Sequence, residues 1–323
     1  MALGIAAALG VAAAWALVSL VMSAQARHVD PYSLSALRMV SAAIFFVIAV
    51  PALGQTGEFS RMGAADIGLL FAQGMLASGI GETLYAVTIP LFGLNRTFTI
   101  STGLSVLAAF AFGAIFLGDD ITLSVGIGSV IVLGGVYLVA NYGRPRSAVD
   151  ADDAVVSAAL AATIEAGTHR SHLRRFFDAH RFAIGLTLAI CLGVAFGGAS
   201  VLLRHAAEGF DAVAAASVRV PVVVPFVLTV ALAQPRSSLR RWSIPRHSLP
   251  WILLSGVIGT GLLSVLVTIS VQNISAGLFT VFFSVSPLIG MAIGALFLHE
   301  RVTLWLLVGA LIVVGGITII ALV

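Results

Sequence analysis

The chain contains no lysine, and its one cysteine, Cys191, lies inside an apolar run. Without lysine there is no Schiff-base chemistry and no phosphate-loop lysine. With one cysteine there is neither an internal disulfide framework nor a cysteine-ligated metal cluster. Charge is scarce as well: Asp, Glu and Arg make up 10% of the 323 residues, against about 25% in a soluble domain. The net charge of +3 comes from 17 arginines and 14 acids. Most of those arginines fall between apolar runs, where arginine ordinarily marks membrane topology, so no nucleic-acid partner is expected. His169, His172, His180, His205 and His247 sit in polar connections without ligand spacing, and neither a metal nor a cofactor is expected.

Apolar sequence is what remains. Hydrophobic residues are 59% of the chain and the mean hydropathy is +1.09. A membrane span needs about 20 apolar residues, and lipid permits only helices or closed barrels. Runs without period-2 alternation select helix. Five runs fill the first half, near 3–22, 33–53, 66–90, 97–117 and 121–141, and five fill the second, near 182–203, 212–233, 249–271, 276–298 and 303–323. Gln272-Asn273 divides a stretch too long for one span. The first run lacks the basic flank of a signal peptide and reads as a retained helix. Residues 142–181 are polar and read as a linker whose basic end, with Phe176, Phe177 and Phe182, lies on the membrane surface.

The two halves repeat. At an offset of 181 residues, Asp30 meets Asp211, Arg38 meets Arg219, Phe98-Thr99 meets Phe279-Thr280 and Gly134-Gly135 meets Gly315-Gly316. Five crossings per half is an odd number, so the second copy enters the membrane from the opposite side. The chain therefore reads as an all-α integral membrane protein, with ten transmembrane helices in two inverted five-helix repeats, residues 1–141 and 182–323. Such a pair suits a carrier that alternates between two open states.

Several motifs carry a resemblance. Trp15-Ala16 is similar to a Trp-Gly pair in a first helix, and Asp30 to Arg38 and Asp211 to Arg219 to a second-helix opening with its arginine. Phe116-Leu117-Gly118-Asp119 and Phe297-Leu298-His299-Glu300 are similar to a leucine-glycine-glutamate turn closing a fourth helix. Gly128, Gly134-Gly135, Gly309 and Gly315-Gly316 are similar to a glycine-lined last helix. On these residues each half resembles an EamA domain of the drug/metabolite transporter superfamily. Val106, where the second half has Pro287, and Asp119-Asp120 depart from that pattern. The resemblance implies a cavity between helices 1, 3 and 4 and their counterparts 6, 8 and 9, and cytoplasmic termini.

Glu82 is an ionisable group well inside the third run, which makes it a candidate coupling site by default. Its counterpart at the 181-residue offset is Leu263, so the site is asymmetric. Tyr85, one helical turn on, and Trp15 are candidate cavity walls. Arg38 and Arg219 read as repeated structural cations, expected to pair with Glu300 or Glu82 and with Asp119 or Asp120. Gly193/Gly197 and Gly290/Gly294 have the spacing of close helix crossings.

The arginine count places the termini outside, against the orientation the resemblance implies. No ATP-binding motif is present. The chain reads as a secondary carrier of a small metabolite in the plasma membrane, multi-pass and exporting, with proton coupling through Glu82. The alternatives are a flippase for a lipid-linked group and an intramembrane enzyme, for which the spans lack a catalytic cluster. The expected partners are the substrate and the lipid bilayer, and a homodimer is compatible with the reading.

Overall fold

The computed structural model describes residues 1–25, 28–82, 84–85, 88, 94–120, 122–142, 171–234, 237–286, 288–289 and 304–321. Among these there is no strand. We number the helices α1 (Ala2–Gln25), α2 (Pro31–Ala52), α3 (Ala64–Gly81), α4 (Leu94–Phe112, continuing through Gly113–Leu117), α5 (Leu123–Tyr142), α6 (Ser171–Ala206), α7 (Ala212–Ala233), α8 (Leu249–Asn273), α9 (Ala276–Phe283) and α10 (Leu304–Ala321). By length and composition α2, α3, α6, α7 and α8 can each cross a membrane, and shorter apolar stretches occur in α1, α4, α5 and α10. The expected ninth span beyond Ile289, with Gly290 and Gly294, lies outside the described residues, as does Glu300. So does most of the expected linker, although α6 starts within it at Ser171.

Local chemistry sets the helix boundaries. Asp30 caps α2 by accepting from the Ser33 N–H at 3.0 Å, with Pro31 preset for the first helical position. Asp211 caps α7, accepting from Val213 and Ala214 at 2.8 and 3.3 Å. Between α8 and α9 the chain becomes extended at Ile274, and Ser275 caps the next helix, so the Gln272-Asn273 break stands where the sequence places it.

Packing between the repeats is reciprocal. Where α5 meets α10, a methyl group on Gly135 would lie 2.7 Å from Val313 and 2.9 Å from the Gly309 carbonyl. One on Gly316 would lie 2.8 Å from Val132 and 2.9 Å from the Gly128 carbonyl. Each pair maps onto the other at the repeat offset, as in a two-fold contact. Helix α3 crosses α7 so closely that a methyl group on Gly74 would strike the Arg219 carbonyl. Its mate is α8 crossing α2, where Gly256 faces the Arg38 carbonyl and the Ser41 hydroxyl. Gly193 and Gly197 of α6 likewise lie against α4, at Ser101, Leu104, Ser105 and Ala108, the close packing expected of that spacing.

These crossings correct the register in one place. Gly74 and Gly256 are matched, π-helical turns begin right after them at Met75 and Val257, and Gly79 and Gly261 face the matched Phe226 and Phe45. In α3 and α8 the offset is therefore 182, not 181, and the counterpart of Glu82 is Ser264 rather than Leu263. One residue more separates the matched positions of the second and third helices in the second half, a shift invisible where both helices are apolar.

Two hydrogen-bonded clasps close the ends of the bundle. At the α1–α2 end, Asp30 accepts from the Ser238 N–H at 2.6 Å and the Ser33 hydroxyl accepts from the Leu239 N–H at 2.9 Å. At the α2–α3 end, Glu58 accepts from the Asp211 N–H at 3.3 Å and Arg61 donates to the Gly209 carbonyl at 3.4 Å. Each clasp ties the cap of one repeat's second helix to the connection after the other repeat's second helix. The Arg61 guanidinium, 2.6 Å from Glu58, and the Asp211 N–H hold the Glu58 carboxyl below the usual carboxylate range.

Gly256→Ala is expected to destabilise by about 1–3 kcal/mol, because backbone cannot yield to the added methyl group. Gly126→Ala, with open space around it, is expected to be neutral or slightly stabilising; thermal unfolding in detergent compares them. A depressed carboxyl pKa contributes stability above the unfolded value of about 4.3 and loses it as pH falls through the folded value. Glu58→Gln should therefore lower the unfolding midpoint at neutral pH and match the wild type near pH 3.

Candidate functional site

The polar centre lies where α2, α3, α7 and α8 cross. Arg38 and Arg219 are buried there, at 1% and 5% exposure. Arg38 Nη2 donates to the Thr260 hydroxyl of α8 at 3.2 Å. Arg219 donates to Gln73 Oε1 of α3 at 3.2 Å and to the Ser264 carbonyl of α8 at 2.7 Å. Among the described residues neither Nε has a hydrogen-bond partner. Glu82, half-buried at the end of the π-helical turn, accepts from the Ser35 hydroxyl of α2 at 3.3 Å, and its charge acts on Arg38.

The expected ion pairs are corrected in part. Among the described residues the ion pairs are Arg61–Glu58 and Arg204–Asp119. Asp119 does not meet Arg219; both of its carboxylate oxygens accept from Arg204 Nη1, at 2.5 and 2.6 Å. The reason is depth. Asp119 sits in the turn after α4, with Gly118 left-handed at φ 67° and no side chain on Gly113 to displace it. That turn lies at the bundle end, which the last turn of α6 reaches. Arg219 lies about 12 Å further in, at 1.5 Å per residue from its Asp211 cap, and takes its partners from the helices crossing beside it. Arg38 likewise takes Thr260, with Glu82 as its electrostatic neighbour, while Glu300 lies outside the described residues.

Trp15 is half-buried, its ring edge-on to Phe283 of α9 at 6.2 Å. Tyr85 is half-buried one turn beyond Glu82. Ser35, Gln73, Thr260, Ser264 and Arg204 were not singled out from sequence. Gln73, a lone amide in an apolar run, carried the clearest signal; Ser and Thr are too frequent in such helices to carry one.

A family model for the EamA-like transporter family matches residues 2–141 and 183–322. The chain belongs to the EamA-like transporter family. This EamA-like chain is a multi-pass membrane protein of two repeats. No curated protein matches it. Twenty-six solved chains do; one crystal structure superposes with a TM-score of 0.73 at 14% identity, over 98% of this chain and 96% of that one, a likeness of fold. The crossing helices place Arg38 and Arg219, the second-helix arginines of the two repeats, against the opposite repeat. A cavity of ≈ 360 Å³ lies at the α2–α3 end of this EamA-like protein, beside Leu117, Arg204, Glu208 and Gln272.

Replacing Gln73 by Met keeps volume and removes the acceptor of Arg219 Nη1 while the Nη2 bond to the Ser264 carbonyl remains. The expected cost is about 1–3 kcal/mol, the penalty for stripping a buried donor of its partner, read as a lower unfolding midpoint in detergent.

Proposed function

We propose that this protein is a ten-span secondary transporter of a small metabolite, working by alternating access between two inverted five-helix repeats. It exports, in the plasma membrane, with protons as the coupling ion. The observation that carries this reading is the crossed arrangement at the centre: Arg38 bonds to α8 of the other repeat, and Arg219 bonds to α3 of the other repeat. An odd number of crossings per repeat turns the two-fold relation of these contacts into an axis in the membrane plane, and exchanging the repeats' conformations then exchanges the open side.

Glu82 is the coupling residue in this reading. Its position is matched by Ser264 in the second repeat, so the device is single. Burial favours the neutral acid and a neighbouring guanidinium favours the carboxylate; Arg38 is that neighbour. A change in the distance between α2 and α3 alters the balance and moves a proton. Trp15 and Tyr85 form apolar walls with one polar edge each, and Arg38 and Arg219 are structural cations that hold the crossings.

The test begins with metabolite profiles of overexpressing and deleted cells, followed by transport of the enriched compound in vesicles under an imposed pH gradient. Wild type should follow the gradient. Glu82→Gln should carry the compound down its own gradient and ignore pH. Unchanged pH dependence in a folded Glu82→Gln protein would make the residue structural.

A further inference from the structure

The turn between α7 and α8 has a side-chain set that the transport reading does not use. Arg240, Arg241 and Arg246 are exposed there, and none forms an ion pair among the described residues. No carboxylate occurs in the sequence between Asp211 and Glu300, so the turn has no acid of its own to neutralise them. Between the arginines stands Trp242, 89% exposed. It is the one non-glycine residue at positive φ among those described, at 53°. A bulky L-residue is strained there, and such an outlier points to function.

The surrounding hydrogen bonds impose that conformation. The Arg241 N–H donates to the Ser237 carbonyl at 3.1 Å, Trp242 to Leu239 at 3.3 Å and Ser243 to Ser238 at 3.0 Å. Ser238 and Leu239 are in turn held by Asp30 and Ser33 of α2. The turn is thus anchored to the other repeat, and its fixed shape drives the indole outward at the head of two apolar helices. Trp251, on the first turn of α8, is 55% exposed on the same end. An outward indole beside helix ends suits the interfacial layer, where its apolar body and N–H are both accommodated. Unpaired guanidiniums at that depth match phosphate, which they can bind through two parallel hydrogen bonds. The matching connection of the first repeat differs: its acid and its arginine, Glu58 and Arg61, pair with each other.

We propose that the α7–α8 turn binds the phosphate headgroups of anionic phospholipids, with Trp242 seated in the interface and Arg240, Arg241 and Arg246 on the headgroups. The site makes the α1–α2 end the face that recruits acidic lipid.

The full chain is reconstituted in phosphatidylcholine with and without phosphatidylglycerol, extracted gently, and the retained phosphatidylglycerol is measured by native mass spectrometry. Wild type should retain it selectively, and R240Q/R241Q/R246Q should lose about fivefold per arginine removed. The triple Arg→Lys variant, which keeps the charge and serves as the folding control, should retain most of it. Brominated phosphatidylglycerol should quench the part of the emission that Trp242→Phe removes. Equal retention by wild type and the glutamine variant, or an unquenched Trp242, overturns the proposal. If inorganic phosphate displaces the retained lipid at equal concentration, the site is one for free phosphate and the lipid assignment fails.

Discussion

A guanidinium in the apolar middle of a helix bundle must find hydrogen-bond acceptors, and the centre of this fold is arranged around two of them. An unpaired buried charge is far costlier than an unpaired neutral group. Arg38 obtains its acceptor, and Arg219 one of its two, from the opposite repeat because glycine at the crossing lets backbone touch backbone. Gly256 admits Arg38, and Gly74 admits Arg219. With a methyl group at either place the helices would separate, and the bonds across the crossing, Arg38 to Thr260 and Arg219 to Gln73, would be lost. The π-helical turns right after both glycines fit this view, since such turns are concentrated at functional positions.

The same exchange between repeats recurs away from the centre. The caps Asp30 and Asp211 are each held by the connection of the other half, and α5 and α10 interlock through Gly135 and Gly316. Each repeat thus completes the other, so neither half is expected to be stable on its own. Against this symmetry stand a few asymmetric features. Glu82 faces Ser264 in register, Arg204 grips Asp119 where the first half has Ser23, and the α7–α8 turn carries unpaired arginines where the α2–α3 connection carries a neutral pair. In the proposed carrier, symmetry supports the exchange of states, and direction has to come from the asymmetry.

Much of this was legible in the chain itself. Apolar runs fix helix and membrane, because lipid leaves backbone no other way to satisfy its hydrogen bonds. The recurrence of Asp30 with Arg38 at Asp211 with Arg219 revealed the duplication, because charged residues inside apolar runs do not recur by chance, and Glu82 stood out for the same reason. The partners of the arginines belonged to the tertiary structure. A carboxylate such as Asp119 looks like the natural mate of Arg219, yet depth along a helix axis and the helix crossing beside it decide the contact. The one-residue shift between α3 and α8, which exchanges Leu263 for Ser264 opposite Glu82, was equally hidden. Within a uniformly apolar helix a slip changes no pattern, and only backbone contact at a glycine crossing registers it.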